Sequence, residues 1–240
     1  MNEETVEKLS NLNKEFYKKV APVFDRTRSY CWKGWTRLVP VIKQRFPALK
    51  KLRVLDVGCG NGRFGPFLKE RLKIPIEYTG IDSNFYLLER AREKLLGANL
   101  IESDILSFDY SSLKNEFDLI ALFGVLHHIP RYENRLMLLE NLGESLSAKG
   151  FLAFSTWDFL KSSVLRKRIQ PWSKIGLENQ IDENDYLLNW EKGVQAFRYC
   201  HSLIDEEVVK LCSESSLKIL KTYSSNAQGD RYNKYFITSL

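Results

Sequence analysis

The chain has 240 residues, of which 44% are hydrophobic and 28% charged, a composition typical of a globular domain and not of a disordered segment. No apolar run approaches the ~20 residues that a membrane-spanning helix requires, and the first ten residues are too acidic and too interrupted in hydrophobicity for a signal peptide. The formal net charge of +6 resides entirely in residues 1–50, where eleven Lys or Arg stand against five Asp or Glu.

The amino-terminal segment is predicted to be helical. Apolar residues recur at helical spacing over residues 4–20 and again over residues 35–46, so we expect an N-terminal helical extension over residues 1–49. Its surplus of positive charge favours an anionic partner, foremost a nucleic acid. A lysine-rich helix face exposed to solvent explains the same residues equally well.

From residue 52 onward, short apolar strands alternate with amphipathic helices. Strands are predicted at residues 53–57, 77–81, 100–102, 117–123, 151–156, 217–223 and 235–238, and helices at 63–72, 85–96, 131–146 and 205–213. This alternation predicts an α/β fold with a parallel sheet and crossover helices. Residues 158–196 interrupt it and are predicted to be an inserted cap, with a short helix at 163–169. Because every strand fits one sheet, we expect a single domain over residues 1–240.

Three closely spaced glycines follow the first predicted strand and precede a helix. Gly58, Gly60 and Gly62 leave space for a ligand to approach the main chain at the carboxyl edge of the sheet, where we expect free backbone N–H groups. A dinucleotide-binding fingerprint would place a small residue where this chain has Arg63. A cofactor without phosphate groups therefore fits this turn better.

Acidic residues follow the strands around this turn. Asp82 lies 20 residues beyond Gly62, at the end of the second strand, where a carboxylate accepts hydrogen bonds from both hydroxyls of a ribose. Asp104 is placed to bond an adenine amino group, with Ile105 against the ring face, and Asp56 below the turn favours a cationic amino group. The complete set of predicted cofactor contacts is Asp56, Gly58, Gly60, Gly62, Asp82, Ser83, Asp104, Ile105 and Phe123.

Over residues 50–157 the motifs DVGCGNGRF, GID and DLIALFGVLHHIP resemble those of class I S-adenosylmethionine-dependent methyltransferases. The resemblance implies a Rossmann-like, seven-stranded sheet with flanking helices, and S-adenosylmethionine (SAM) as the cofactor. It does not identify the methyl acceptor, because this fold serves many substrates.

Motifs outside that core resemble a narrower group, the eukaryotic tRNA wobble-uridine carboxymethyl methyltransferases and the matching domain of their AlkB-linked relatives. The matching positions are Tyr17, Ala21, Phe24, Thr27, Arg28, Trp32, Val125, His127, His128, Arg198, Tyr199 and His201. The chain departs from that pattern around Trp32, where the neighbouring residues lack the family's proline, and over residues 161–184, which do not match well.

By this resemblance the reaction would be methyl esterification of the carboxylate of 5-carboxymethyluridine in tRNA. An ionised carboxylate needs no general base, so alignment in a dry pocket would supply most of the acceleration. Arg28 would grip the acceptor carboxylate or, equally, the cofactor's own carboxylate. His127 and His128 would bond the acceptor near the transferring methyl, or merely shape the turn after the fourth strand. The other predicted contacts on the acceptor side are Trp32, Arg198 and His201, and the alternative for His201 is a place in a packed or substrate-side wall.

A run of cations without an acid lies inside the predicted cap. Arg166, Lys167 and Arg168 fall between Trp157 and Trp172, a combination that suits the phosphates and unstacked bases of a single-stranded RNA loop. An exposed helix with ordinary solvated charges is the alternative reading. By resemblance, the partners would be tRNA and a small zinc-binding activator subunit.

The cysteines and histidines do not indicate a metal centre. The four cysteines form no CxxC pair, and the three histidines are scattered along the chain. Free thiols are typical of a reducing compartment, so we expect a cytoplasmic protein without membrane attachment.

Two other functions are consistent with the sequence. A methyltransferase for a quinone precursor, lipid or other metabolite would have an apolar cap pocket, built from Phe159, Leu160, Leu165, Trp172 and Leu187. A SAM-binding partner subunit without catalytic activity would keep the cofactor contacts but transfer no methyl group.

Overall fold

The computed structural model describes residues 1–27, 30–190, 193–225 and 232–240. Within these ranges lie ten strands, namely β1 Leu52–Val57, β2 Ile76–Asp82, β3 Asn99–Glu102, β4 Phe117–Phe123, β5 Leu146–Trp157, β6 Ile169–Gln170, β7 Asp185–Trp190, β8 Ala196–His201, β9 Lys218–Ser225 and β10 Asn233–Ser239. The main sheet has the order β3-β2-β1-β4-β5-β10-β9, in which β10 is antiparallel to both of its neighbours and the other pairings are parallel. This arrangement confirms the predicted seven-stranded Rossmann-like sheet.

Seven α-helices accompany the strands in the described part of the chain, namely α1 Glu3–Thr27, α2 Leu38–Arg45, α3 Phe64–Leu72, α4 Phe85–Lys94, α5 Tyr132–Glu144, α6 Ser163–Arg166 and α7 Asp205–Glu214. Asn2 caps α1 by accepting a hydrogen bond from the N–H of Thr5 (2.8 Å). The helix continues past Pro22 to Thr27, beyond its predicted end at residue 20. Among the helices within these ranges, none combines the length and apolar character needed to cross a membrane.

Alternate residues of the central strands pack on opposite faces of the main sheet. Val54 of β1 and Leu119 of β4 belong to the apolar cluster under α2 and α3, whereas Leu55 and Ile120 belong to the cluster under α5 and α7. This alternation follows from the two-residue period of a strand. Because both faces are buried, the carboxyl ends of β1 and β4 are held firmly where the candidate site begins.

The cap contains a second sheet of its own, in which β6, β7 and β8 pair antiparallel. The expectation that every strand lies in one sheet is therefore wrong, and the cap sheet continues to His201 instead of ending at residue 196. The predicted helix at 163–169 is limited to α6, since Ile169 already begins β6.

Helix α1 covers the cap sheet along β8. The side chain of Asn13 accepts a hydrogen bond from the N–H of Tyr199 (2.9 Å) and donates to its carbonyl (3.2 Å), across 186 residues of sequence. A helix so distant in the chain leaves no mark on the local periodicity of β8, which explains why the strand was not predicted.

Candidate functional site

A cavity of about 860 Å³ opens at the carboxyl ends of β1, β2 and β4, with α1 and the cap forming its far wall. Open α/β sheets bind ligands at this edge, where the strand order reverses. Of the predicted cofactor contacts, all except Gly62 line the cavity. The predicted acceptor contacts that line it are Trp32, His127, His128 and Arg198. Arg28 lies outside the described residues.

The three glycines of the turn have φ values of 70°, 53° and 69°, a backbone conformation that side chains rarely adopt. A side chain at Gly58 would collide with Val125, so this glycine lets the segment after β4 approach the turn. A side chain at Gly62 would collide with Ala91 of α4. Gly62 therefore serves the packing of α4 and does not face the cavity.

The backbone N–H groups of this turn are largely occupied, contrary to our expectation. Those of Gly58 and Cys59 donate to the carbonyl of Ile81 (2.7 and 3.1 Å), and that of Gly60 donates to the carboxylate of Asp82 (2.7 Å). The turn thus lets a ligand approach the main chain but does not offer a cluster of backbone N–H donors. A ligand without phosphate groups suits such a surface.

Asp82 is half-buried at the end of β2, and the backbone holds both of its carboxylate oxygens. Besides Gly60, the N–H of Asn84 donates to it (2.8 Å). Burial raises the pKa of Asp82 above its ordinary value, while these N–H donors act to lower it. A carboxylate has about four lone-pair sites, so one remains for a further hydrogen bond beside the N–H groups of Gly60, Ser83 and Asn84. The fixed carboxylate is therefore suited to accept from a ribose hydroxyl, with Ser83 exposed beside it on the cavity wall.

Asp56 lies deeper, near the end of β1, and is almost fully buried. Burial raises the pKa of Asp56 to about 7, although the hydroxyl of Tyr78, which donates to the carboxylate, acts in the opposite direction. A positive charge in the cavity would favour the ionised form. The location therefore agrees with the predicted contact to a cationic amino group.

Asp104 connects the cavity wall to α1. It accepts a hydrogen bond from the N–H of Leu106 (2.9 Å) and forms an ion pair with Lys14 (2.8 Å). Ile105 lies next to it in the same wall. An adenine amino group bonded to Asp104 would share this carboxylate with Lys14, a residue that the sequence did not single out.

An aromatic wall near the glycine turn contains Trp32 and Phe123. The guanidinium of Arg63 stacks over the ring of Trp32 at 4.8 Å, and Phe123 packs against Phe64 at 5.1 Å. Trp32 thus lies on the cofactor side, whereas the resemblance implied a contact with the acceptor. Arg63 itself lines the cavity directly after the glycines. From the sequence, Arg63 indicated only that the turn does not fit a dinucleotide-binding fingerprint. A guanidinium at this position is nevertheless well located to bind a carboxylate of the cofactor.

Arg198 of β8 presents a cation to the opposite end of the cavity. Its guanidinium lies over three aromatic rings, with distances to the ring centroids of 4.8 Å for Trp157, 5.3 Å for Phe16 and 5.9 Å for Trp190. Within the described ranges, no carboxylate forms an ion pair or a hydrogen bond with it. A half-buried guanidinium held in this way is a suitable partner for a planar anion.

The two histidines after β4 are neutral. Burial, with help from the positive charge of Arg198, lowers the pKa of His128 to about 3 and that of His127 well below its ordinary value. His128 bonds the hydroxyl of Tyr17 (2.9 Å) and the carbonyl of Tyr199 (3.0 Å). Nδ1 of His127 is buried without a hydrogen-bond partner in the described part of the chain. Groups with such low pKa values are poor general bases at neutral pH.

His201 lies outside the cavity and is engaged by two carboxylates. Its ring nitrogens are 2.7 Å from Asp185 and 2.7 Å from Glu207, and the latter carboxylate also pairs with Arg135 of α5 (2.8 Å). Burial acts to lower the pKa of His201, but the two hydrogen bonds outweigh it and raise the pKa. The ring therefore ties the cap to α5 and α7, and its location gives no support to a substrate contact.

The predicted run of cations borders the cavity without lining it. Arg166 and Lys167 are exposed on and after α6, and Arg168 is half-buried, whereas the adjacent Leu165 does line the cavity. Trp172 packs against Leu9 of α1 and is not presented to a ligand in the cavity.

The arrangement favours transfer to a nucleophile that is already ionised. Its acceptor end holds a cation and neutral imidazoles, whereas Asp56, Asp82 and Asp104 lie on the cofactor side; Glu15 and Glu102 also line the cavity. No group of three His, Cys, Asp or Glu side chains in the described residues is arranged to hold a metal ion, and the four cysteines form no disulfide.

Comparison with known proteins identifies the family. A methyltransferase domain model matches residues 24–221. Carboxy-S-adenosyl-L-methionine synthase of Helicobacter pylori is 29% identical over 182 residues, 71% of this chain and 74% of that protein. Malonyl-(acyl-carrier protein) O-methyltransferase of Calditerrivibrio nitroreducens is 25% identical over 175 residues, 73% of this chain and 64% of that protein.

A crystal structure of a SAM-dependent methyltransferase from Clostridium acetobutylicum has the same fold, with a TM-score of 0.67 at 17% identity over 93% of this chain and 98% of that one. The prediction of a methyltransferase that uses SAM is confirmed at the level of family and fold. The chain belongs to the methyltransferase domain family.

Proposed function

We propose that this enzyme transfers the methyl group of SAM to a carboxylate oxygen of an anionic acceptor, and that Arg198 holds this acceptor. The observation that carries the proposal is the guanidinium of Arg198 itself, which faces the cavity among aromatic rings without a carboxylate partner in the described chain. An unpaired, half-buried cation is costly unless a ligand supplies the counter-charge.

The proposed reaction requires the protein to align the two reactants and to bind the charge of the acceptor, but it does not require a general base. When bound, SAM supplies a methyl group on a positively charged sulfur that departs as a neutral thioether. A carboxylate attacks without losing a proton, so the low pKa values of His127 and His128 are no obstacle. Arg198 orients the carboxylate, and the surrounding aromatic rings exclude water from it. An alcohol or amine acceptor would need a proton acceptor, and the two imidazoles next to Arg198 are poorly suited to that role.

As the acceptor we propose the carboxylate of 5-carboxymethyluridine in tRNA, in the cytoplasm and with a small zinc-binding activator subunit. The exposed cations Arg166 and Lys167 next to the cavity rim support a polyanionic substrate. The basic amino-terminal segment also reaches the cavity, where Lys14 and Lys18 are among the lining residues.

A small carboxylate is the second candidate acceptor. It is supported by the malonyl-(acyl-carrier protein) O-methyltransferase, a relative named for O-methylation of a malonyl group. A large apolar metabolite is less well supported by the cap. Of the five residues expected to form its pocket, only Leu165 lines the cavity, and Phe159 and Leu187 are fully buried in the interior of the cap.

Incubation with methyl-labelled SAM tests the proposal. Two acceptor pools are compared, bulk tRNA lacking wobble esters, with and without activator, and a set of small mono- and dicarboxylates. Methyl esters release labelled methanol in mild alkali, whereas methyl groups on nitrogen or carbon do not. We expect alkali-labile label, and alkali-stable label alone would contradict a carboxylate acceptor.

Arg198→Met should lower kcat/KM for the productive pool by roughly 10- to 100-fold, because a charged hydrogen bond contributes about 1.5–3 kcal/mol. The affinity for SAM should stay within twofold. Arg37→Met is the matched control, since Arg37 also stacks on an aromatic ring, that of Tyr223 (5.2 Å), but lies outside the cavity. Equal losses in the two variants would remove Arg198 from the acceptor site.

A further inference from the structure

The exposed aromatic side chains of the described chain are concentrated at the cavity. Eleven large hydrophobic side chains are exposed within the described ranges, and three of them are aromatic, namely Tyr30, Phe85 and Tyr86. All three line the cavity, whereas none of the eight aliphatic ones does. Because these rings are both exposed and part of the lining, they lie at its mouth. Scattered exposed hydrophobic residues are common on any surface, but such a separation of rings from aliphatic chains is not.

Two of the rings belong to the first turn of α4. Asn84 caps this helix by accepting a hydrogen bond from the N–H of Leu87 (3.0 Å). The register set by this cap buries Leu87 and turns Phe85 and Tyr86 outward, with exposed fractions of 58% and 39%. The guanidinium of Arg90, one turn further along, lies 5.6 Å from the ring centroid of Tyr86 and helps to hold that ring in place.

The third ring, Tyr30, lies on the segment between α1 and α2. Its carbonyl accepts a hydrogen bond from the guanidinium of Arg63 (3.1 Å), which fixes it next to the glycine turn. Residues 14–37, which include it, contain seven Lys or Arg against two Asp or Glu. Lys18 of this segment is exposed and lines the cavity, and its ion pair with Glu15 is long (3.9 Å). The mouth therefore combines exposed rings with a basic segment.

This combination suits an unpaired strand of nucleic acid. Every base has a flat π-face that stacks on an aromatic ring, and Lys and Arg pair with the phosphates. A lipid surface would be met by aliphatic side chains as well, and the exposed aliphatic ones of the described chain lie away from the cavity. Trp157 and Trp172, which the sequence suggested for RNA contacts, are half-buried and are less suited to stacking.

We propose that Tyr30, Phe85 and Tyr86 form a stacking surface for unpaired bases of a single-stranded RNA loop. The nucleotide whose carboxylate meets Arg198 enters the cavity, and its neighbours in the loop lie on the stacking surface. This surface supplies affinity for unpaired bases without reading their sequence, since every base has such a face. The inference deepens the proposed function and rests on tRNA as the acceptor.

Binding of a synthetic RNA hairpin tests the inference without methyl transfer. A fluorescently labelled anticodon stem-loop is titrated with the full chain in the presence of S-adenosylhomocysteine, and its anisotropy gives the affinity. In Phe85→Leu/Tyr86→Leu we expect this affinity to fall roughly 10- to 50-fold, because two rings are lost while the apolar bulk is kept. Phe85→Tyr/Tyr86→Phe is the matched control. It changes the same two exposed positions, keeps both rings and should bind the hairpin as the wild type does.

A second RNA, in which continuous duplex replaces the loop, separates stacking from a general apolar contact. The leucine variant should leave the affinity for this duplex nearly unchanged. Equal losses for the two RNAs, or no loss for the stem-loop, would overturn the proposal. A matching loss of affinity for S-adenosylhomocysteine, measured by calorimetry, would overturn it by assigning the rings to the cofactor. Binding to vesicles of phosphatidylserine and phosphatidylcholine that only the leucine variant loses would do so by assigning them to a membrane.

These outcomes are distinguishable from those of the proposed function. No methyl group is transferred in the binding measurements, so a different acceptor atom leaves them unchanged. If the wild-type chain does not bind the hairpin, the stacking surface is wrong, while transfer to small carboxylates is unaffected. If the rings prove to have no role, the alkali-labile label on tRNA and the effect of Arg198→Met remain in place.

Discussion

The cofactor side and the acceptor side of the cavity are built differently. On the cofactor side, Asp82 holds the glycine turn through Gly60, a contact between residues 22 positions apart. On the acceptor side, Tyr17 meets His128 across 111 residues and Asn13 meets Tyr199 across 186. Connections between neighbouring strands form most of the cofactor side, to which α1 adds Lys14 beside Asp104. The acceptor side exists only once α1 and the cap have docked. The cofactor side is therefore recognisable from sequence motifs, whereas the acceptor side depends on contacts between residues far apart in the chain.

The two sides also differ in their electrostatics. The cofactor side has Asp56, Asp82 and Asp104, while the acceptor side has neutral imidazoles and Arg198, which meets no carboxylate among the described residues. The carboxylates of the cofactor side would suit a cofactor with a positively charged group, and the cation of the acceptor side would suit an anionic acceptor.

We expect the largest effect on stability at His201, which connects the cap to α5 and α7. In His201→Ala, the carboxylates of Asp185 and Glu207 lose their shared partner while still buried, so the free energy of unfolding should fall by about 3 kcal/mol. Urea denaturation measures it. Lys234→Met, which breaks the surface pair with Asp205, is the control and should change it by less than 1 kcal/mol. Similar values for the two variants would mean that the buried network does not anchor the cap.

The contribution of His201 also has a defined pH dependence. Its folded pKa is raised, so its stabilising effect is fully present below the unfolded pKa of about 6.5 and is lost as the pH rises through the folded value. The difference in unfolding free energy between wild type and His201→Ala should therefore shrink toward alkaline pH.

His128 should show the opposite dependence. Its pKa is about 3 in the folded chain against about 6.5 when unfolded, so acid stabilises the unfolded state, and His128 lowers the free energy of unfolding by about 2 kcal/mol between pH 7 and pH 5. Asp56, with its pKa raised to about 7, acts in the opposite sense, so the useful quantity is the difference between wild type and His128→Asn. Parallel stability curves for the two proteins would show that His128 is not held neutral.

The cofactor side is tested at Asp82. Asp82→Ala removes the carboxylate that would bond the ribose and also frees the N–H of Gly60, so SAM binding should weaken at least tenfold by calorimetry, about 1.4 kcal/mol. Asp109→Ala is the matched control, because Asp109 is exposed and bonds only Ser111 in its own turn. Unchanged affinity in Asp82→Ala would remove this residue from the site.

The smallest effect concerns the rim of the acceptor side. Reversing the charges of Arg166, Lys167 and Arg168 should weaken tRNA retention roughly three- to fivefold and flatten its dependence on salt. Reversal of three exposed lysines on α7 and β9, away from the cavity, controls for net charge, and these are Lys210, Lys218 and Lys221. If both triple variants behave alike, the effect is one of overall charge and the run is ordinary surface.

Sequence by itself determined the main sheet and most of the cofactor side. The alternation of strands and helices, the glycines with positive φ and the acid after β2 are local features, and each acts within one β-α unit. Even there, the prediction of free backbone N–H groups in the glycine turn was wrong, because their acceptors, Ile81 and Asp82, come from the neighbouring strand.

Tertiary structure alone decided the rest. Only the folded structure shows that Lys14 pairs with Asp104 and that Tyr17 contacts His128. It also shows that Arg198 has no acidic partner among the described residues and that His201 binds the carboxylates of Asp185 and Glu207. The physical reason is the same in each case. A side chain's charge and hydrogen-bonding role depend on which distant groups share its burial, and residue spacing along the chain does not encode that.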